Sequence, residues 1–294
     1  MNIIEAMKER RSVRTFDGNG LTDAQKEILK KAVDDSYTFF GGNLTIRLKD
    51  FDLKGDYKPS TYGMINGAEY FFLLGIGSDE ASALTAGFQF EQVVLEAWRN
   101  GLGCCWIAAT FKGSDFDNGQ NWPDGEELKI ICPVGVAVKP SVKEKFTRMT
   151  LGSKNRKPFD KLFFIDDFQH PVPPENRYYE ALEMLRLAPS STNSQPWRAL
   201  VAGDTVHFYY KPKSEASVLG IGICHFYETE KFYGRAGSFA KVDNAPTPPR
   251  RLALPGIIHC QGMTLPNAAR LQSPFMLLVM AMSCRGGACP MSLT

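Results

Sequence analysis

The sequence predicts an α+β protein, with a mixed, largely antiparallel sheet flanked by helices in one compact unit of two unequal halves. Three observations carry this. Apolar, β-like runs such as Tyr70 to Gly75 and Ile130 to Val138 alternate with helical periodicities such as Leu84 to Asn100. The chain has 294 residues, 44% hydrophobic and 22% charged, the makeup of a globular protein with one large domain or two small ones. One short order of elements also occurs twice. An aromatic-rich strand, Glu80-Ala81-Ser82 and a helix from Gly87 to Gly101 are echoed by a strand, Glu215-Ala216-Ser217 and a helix from Gly220 to Gly234. Both helices read as bounded by glycines fourteen positions apart (101 − 87 and 234 − 220). Internal duplication is therefore expected.

Composition narrows the partners. Thirty-four basic against 32 acidic residues leave a net charge of +2, so no nucleic-acid partner is expected. No apolar run is long enough for a bilayer. The N-terminal residues Met1 to Arg10 are charged and lack a signal-peptide core, which points to the cytoplasm. Seven cysteines without framework spacing fit a reducing compartment. Cys104 and Cys105 are adjacent and no CxxC pair exists, so no zinc site is expected.

In chain order, Ile3, Ile4 and Met7 give residues 2 to 9 an amphipathic helix. It runs into Arg10-Arg11-Ser12-Val13-Arg14-Thr15-Phe16. Three guanidiniums and a hydroxyl in five residues form a candidate phosphate clamp, because the planar fork of Arg suits phosphate oxygens. A solvated basic helix end is the plain alternative. Thr22-Asp23-Ala24-Gln25 is a capping-box pattern before a helix with Ile28, Leu29, Ala32 and Val33 on one face. An alternating strand follows from Leu44 to Leu48, and a buried one from Tyr70 to Gly75. The helix from Leu84 to Asn100 is apolar around much of its circumference and stops at Gly101, a C-cap glycine. Within it, Glu91 reads as a partly exposed charge, with a buried partner as the alternative. Cys104 and Cys105 read as packing residues, since no neighbouring base is evident.

Residues 161 to 177, with Pro171, Pro173 and Pro174, read as a linker. A helix from about Tyr178 to Leu187 delivers Pro189-Ser190-Ser191-Thr192-Asn193-Ser194-Gln195-Pro196-Trp197, and a strand begins at Arg198. Seven of those nine residues carry a side-chain hydroxyl, amide or indole N–H. An N/S-rich connection is the plain alternative; a loop this dense in donors and acceptors suits a flat, polar ligand. A strand from Thr205 to Tyr210 and a helix from Gly220 to Phe232 follow, and His207 reads as a face residue of that strand. From Arg250 onward the chain has four arginines but no Lys, Asp or Glu. No strand or helix pattern continues there, and this tail is expected not to be native-like core, as after a shifted reading frame.

The run P-S-S-x-N-x-Q-P-W resembles the flavin-contact loop of the FMN-dependent nitroreductases. R-R-S-x-R-x-F near the N-terminus resembles the stretch by which that family holds the FMN phosphate and ribityl chain. Gly101-Leu102-Gly103-Cys104-Cys105-Trp106 looks like its G-L-G-x-x-W turn. The likeness covers about residues 1 to 245, and the two terminal motifs are more specific together than apart. It implies a nitroreductase-like fold. It also implies FMN as cofactor, NAD(P)H as electron donor, and a nitroaromatic, quinone or similar small-molecule acceptor. Arg10, Arg11, Ser12 and Arg14 are then assigned to phosphate and ribityl, with Lys154 and Arg156 returning to the phosphate. Pro189, Ser190, Ser191, Asn193 and Gln195 go to the ring and ribityl edge, and Trp197 to packing. No catalytic side chain is implied, because the flavin carries the chemistry.

The chain departs from the family in one respect. The S-S-x-N loop normally lies close to the R-R-S-x-R element in sequence, where only Gly42-Asn43 remains here. Arg14 and Pro189 are 175 positions apart (189 − 14). The chain is thus most similar to the single-chain, internally duplicated branch. Residues 1–160 would be a nitroreductase-like half with the clamp, 161–249 a shorter half with the loop, and 250–294 an atypical tail. Such a chain would act as a monomeric pseudo-dimer or a homodimer. A non-catalytic flavin-binding protein, a different reductive or dehydrogenation reaction on the same scaffold, and a chain that has lost flavin are the alternatives.

Overall fold

The computed structural model describes residues 1–52, 59–140, 149, 155–210, 216–235, 237–240 and 246, and the backbone of 260–264. The first half runs α1 (Ile3–Glu9), α2 (Asp23–Asp35), β1 (Leu44–Asp50), β2 (Tyr70–Gly77), α3 (Glu80–Arg99), β3 (Leu102–Cys104), α4 (Gly113–Asp117) and β4 (Glu126–Val136). Local chemistry sets these boundaries. Asn2 and Thr22 close capping boxes with Glu5 and Gln25, which satisfies the first free amides of α1 and α2. Asp79 caps α3 by accepting from Ser82 N at 2.7 Å. Gly101, at φ +79°, follows the last turn of α3. The strands form an antiparallel sheet in the order β1-β2-β4-β3.

The second half contains β5 (Phe163–Ile165), α5 (Tyr179–Leu187), β6 (Trp197–Ala202), β7 (Thr205–Tyr210), α6 (Ala216–Phe232), β8 (Ser238–Ala240) and β9 (Cys260–Thr264). These strands form a second sheet, β5-β6-β7-β9-β8. Only the β5–β6 pair is parallel. The α+β class and the largely antiparallel pairing are as the sequence predicts, but among the described residues there are two sheets in place of one.

Three further expectations are corrected. Part of the supposed linker 161–177 is structured: Phe163 and Phe164 are buried, and β5 docks on β6 at the sheet edge. Its run of three residues is too short for alternation to show. The tail does contain a strand. β9 pairs with both β7 and β8, so backbone between 250 and 294 enters the second sheet. Glycine and polar residues in Cys260-Gln261-Gly262-Met263-Thr264 hide it from hydropathy. Residues 241–245, 247–259 and 265–294, and Glu215 of the second Glu-Ala-Ser, lie outside the described residues.

The third correction concerns the glycines. Gly87 and Gly220 do not bound their helices; both lie inside them, α3 beginning at Glu80 and α6 at Ala216. They sit where α3 and α6 pack against each other. A Cβ on Gly87 would lie 1.9 Å from Ser217 O, and one on Gly220 would lie 2.3 Å from Leu84 O. Absence of a side chain on both helices lets the backbones touch. α3 is therefore enclosed on two sides. Leu84, Phe88 and Leu95 join α1, α5 and α6 in one core. Ala86, Phe90, Val93 and Val94 join α2 and the first sheet in another.

Candidate functional site

The first wall grows from the end of α1. The chain leaves the helix at Arg10 (φ −55°, ψ 135°) and runs extended, with Val13 N donating to Cys104 O at 2.9 Å and Ser12 bridged to Cys104. Gly103 permits this approach, since a Cβ there would lie 2.5 Å from Val13 Cγ2. Farther on, Asn66 N donates to Arg14 O at 2.9 Å. The run Arg10 to Arg14 is thus stitched to the first half at both ends. The guanidinium of Arg11 lies 5.8 Å from the centre of the Trp98 ring. Arg10 is not a solvated helix end: its side chain is 5% exposed and its Nε stands 3.5 Å from Glu91 Oε1.

The second wall is the loop after α5. Ser190 is extended, Ser191 to Asn193 form a 3₁₀ turn, and Thr192, Asn193 and Gln195 have φ of +50°, +55° and +45°. Three non-glycine residues in the left-handed region within four positions cost of order 1–3 kcal/mol each. Asn tolerates that conformation, whereas for the β-branched Thr192 it is a strained outlier. Hydrogen bonds hold the shape. Gln195 N donates to Ser190 Oγ at 3.0 Å, and Asn193 Nδ2 to Asn155 O at 2.8 Å. Arg156 Nη1 donates to Asn193 Oδ1 at 2.9 Å, and its Nη2 to Leu187 O at 3.0 Å. Burial pushes the Arg156 pKa down, helped by the charges of Arg10 and Arg186. A guanidinium nevertheless stays cationic.

Between the walls lies a cavity of about 460 Å³, within the roughly 300–1,000 Å³ range of small-molecule and cofactor sites. Arg10, Arg11, Ser12 and Arg14 line one side, and Arg156, Pro189, Ser190, Ser191 and Asn193 line another. Four guanidiniums and no carboxylate face it among the lining residues, so the site suits an anion. Two predicted positions are not among them. Gln195 is buried behind the loop, where its Oε1 accepts from Lys157 N at 2.7 Å and its Nε2 donates to Asn193 O at 3.1 Å. It shapes the loop from behind. Lys154 lies outside the described residues. Trp197 is fully buried against Gly222, which places it in packing.

Sequence reasoning missed the floor and the support. Trp106, Ile107, Ser217, Val218 and Ile221 also line the cavity, the last three from α6. Glu91, expected to be partly exposed, is fully buried. Its carboxylate accepts from Trp106 Nε1 at 2.7 Å and lies 3.0 Å from His225 Nε2, and His225 is also fully buried. Part of the signal was there: Glu91 is an ionisable side chain between Phe88, Val94 and Leu95 on an otherwise apolar face of its helix. Burial pushes the Cys105 thiol up, although Arg14, a hydrogen bond with Ser12 and Arg10 act the other way. Cys104, Cys105, Cys132 and Cys224 are buried and unpaired with one another. Among the described residues no helix is long and apolar enough to cross a membrane.

Comparison with known proteins gives one family and a fold. The family profile described as "Putative TM nitroreductase" matches residues 2–229. No curated protein matches. The crystal structure of a "putative nitroreductase" from Thermotoga maritima is similar over 90% of this chain and 94% of that one, with a TM-score of 0.58 and 20% identity. That is a likeness of fold. Two nitroreductases with bound FMN align over 48% of this chain each. One is from Bacteroides fragilis (14% identity, TM-score 0.38, 91% of that chain) and one from Desulfitobacterium hafniense (16%, 0.40, 92%).

Proposed function

Since the chain belongs to the family described as "Putative TM nitroreductase", we propose that it is an FMN-dependent oxidoreductase. In this proposal it passes hydride from NAD(P)H through the flavin to a nitroaromatic, quinone or similar acceptor. The observation that carries the proposal is one cavity bordered by both Arg10–Arg14 and Ser190–Asn193. These stretches begin 180 positions apart in the sequence (190 − 10). The donor set fits FMN: guanidiniums suit a phosphate dianion, and hydroxyls and an amide suit a ribityl chain and a heteroaromatic edge.

Bound there, FMN would supply the hydride-accepting and hydride-donating chemistry. The chain's own residues bind and orient. Arg10, Arg11, Ser12 and Arg14 hold the phosphate end. Pro189, Ser190, Ser191 and Asn193 meet the ring and ribityl edge. Arg156 holds Asn193 and the end of α5 in place, and its charge adds to the clamp. Trp106, Ile107 and Ile221 make an apolar floor that keeps water from one side of the ring.

We further infer that the chain is an internally duplicated pseudo-dimer with one such site. The helix crossing supports it. Gly87 approaches Ser217 O and Gly220 approaches Leu84 O. Both residue pairs are related by the same offset of 133 (220 − 87 and 217 − 84). Reciprocal contact of this kind is what a two-fold axis produces.

The test is reconstitution. Purified protein should be yellow, or become so with FMN, release FMN on denaturation, and oxidise NADH or NADPH with a nitroaromatic or quinone present. Protein that neither retains nor takes up FMN sinks the proposal. Protein that binds FMN but never oxidises a nicotinamide is a flavin carrier instead.

A further inference from the structure

Beneath the cavity lies a buried polar cluster that joins Arg10 of the N-terminal motif to two residues outside both motifs, Glu91 and His225. Glu91 on α3 is its centre. Around its carboxylate stand Trp106 Nε1 at 2.7 Å, His225 Nε2 at 3.0 Å and Arg10 Nε at 3.5 Å. His225 Nδ1 faces Met184 O at 3.2 Å. A carbonyl only accepts, so Nδ1 is the donor to Met184 O. Glu91 and His225 are each fully buried and the Arg10 side chain nearly so. A buried charge is tolerated only where partners compensate it. The four side chains come from the end of α1, α3, the turn after β3 and α6, and the carbonyl from α5. All but α3 carry or lead into the cavity's two walls and floor.

We propose that Glu91 and His225 are positioning residues of the anion clamp. Glu91, oriented by His225 and Trp106, holds the Arg10 guanidinium at the cavity wall before a ligand arrives. Pre-ordering the side chain removes part of the entropy cost of binding. The inference rests on the proposed FMN site for its ligand. It also makes a prediction that simple electrostatics would reverse. A buried carboxylate under a cationic cavity repels an anion, so its charge alone would make Glu91→Gln bind anions more tightly. Positioning makes the same variant bind them more weakly.

The experiment titrates FMN and, separately, inorganic phosphate into the full-length wild type, Glu91→Gln, His225→Gln, Arg10→Ala and the Arg10→Ala/Glu91→Gln double variant. Glu91→Gln and His225→Gln should each weaken FMN binding by about tenfold, with phosphate following the same order. The double variant should match Arg10→Ala within about twofold, because Glu91 acts through Arg10. Tighter or unchanged binding in Glu91→Gln, or full additivity in the double variant, overturns the proposal. If the variants fold poorly, nuclear magnetic resonance of the ligand-free wild type decides. Arg10 should give a sheltered, slowly exchanging Nε–H signal; rapid exchange contradicts the proposal. That signal needs no flavin, so wild type that shows it without binding FMN refutes the FMN site and leaves the positioning intact.

Discussion

Replacing Gly87 with alanine puts two well-known effects in opposition. In the interior of a helix, Gly→Ala is favourable by about 1 kcal/mol, because glycine loses more backbone freedom on folding. Here the added Cβ would lie 1.9 Å from the Ser217 carbonyl oxygen, where ordinary contact begins at about 3.4 Å. The helices must then separate locally by about 1.5 Å, the difference of those distances. A radial gap of only about 0.5–1 Å already forfeits a quarter to a half of each atom pair's dispersion energy. α3 cannot recoil freely, because its other face packs Ala86, Phe90, Val93 and Val94 against α2 and the first sheet. Overpacking costs about 1–3 kcal/mol and sometimes more. A backbone oxygen is an unyielding obstacle, so we expect Gly87→Ala to lower stability by about 3 kcal/mol net of the propensity gain. For a domain of this size that is a fall in Tm of roughly 6–12 °C. Gly220→Ala, with its Cβ 2.3 Å from Leu84 O, should be milder. Gly113→Ala, which meets nothing within 4 Å, is the control and should stay within about 0.5 kcal/mol of wild type. Thermal and urea unfolding of the three variants measures this. A rise in Tm for Gly87→Ala, as propensity alone would give, refutes the close crossing.

The remaining predictions concern caps, loop and clamp. Asp79→Ala removes the cap of α3 and should cost about 1 kcal/mol at neutral pH. Hydrogen bonds from the Ser82 backbone and side chain lower the Asp79 pKa from its ordinary 3.8. A depressed folded-state pKa gives stability that is complete above the ordinary value and lost as pH falls through the folded one. The gap between Asp79→Ala and wild type in acid unfolding should therefore hold above pH 3.8 and close below it. Arg156→Ala removes the donors to Asn193 Oδ1 and Leu187 O, and should cost about 2 kcal/mol and loosen the loop, read by urea unfolding and by proteolysis between Pro189 and Pro196. Arg14→Ala should weaken FMN binding at least about tenfold, as loss of a charge-assisted contact to phosphate does, with little change in Tm. An unchanged dissociation constant would take Arg14 out of the clamp.

Much of the architecture could be read from the sequence because the physics involved is local. The capping box at Thr22, the glycine after α3 and the apolar run of β2 each depend on a few neighbouring residues. What escaped was either short or long-range. β5 is three residues and β9 contains a glycine, so neither shows a period, and each is a strand only because a neighbouring strand accepts it. Gly87 and Gly220 resemble helix ends in sequence, because nothing local says that a second backbone lies against them. Glu91 looked like a surface charge for the same reason: His225, its partner, is 134 positions away. Gln195 was grouped with ring-contacting residues by motif, yet its amide is spent on Lys157 and Asn193. Arg156 was sought as a phosphate ligand and also proves to brace the loop.

One cofactor site assembled from two distant stretches of a single chain can be tested by stoichiometry. Equilibrium dialysis of the purified protein against FMN, with the mass in solution measured in parallel, counts flavins per chain. One FMN per chain is predicted, with binding weakened both by Arg14→Ala on one wall and by Asn193→Ala on the other. No FMN bound to a folded wild type, or binding indifferent to both substitutions, would contradict it.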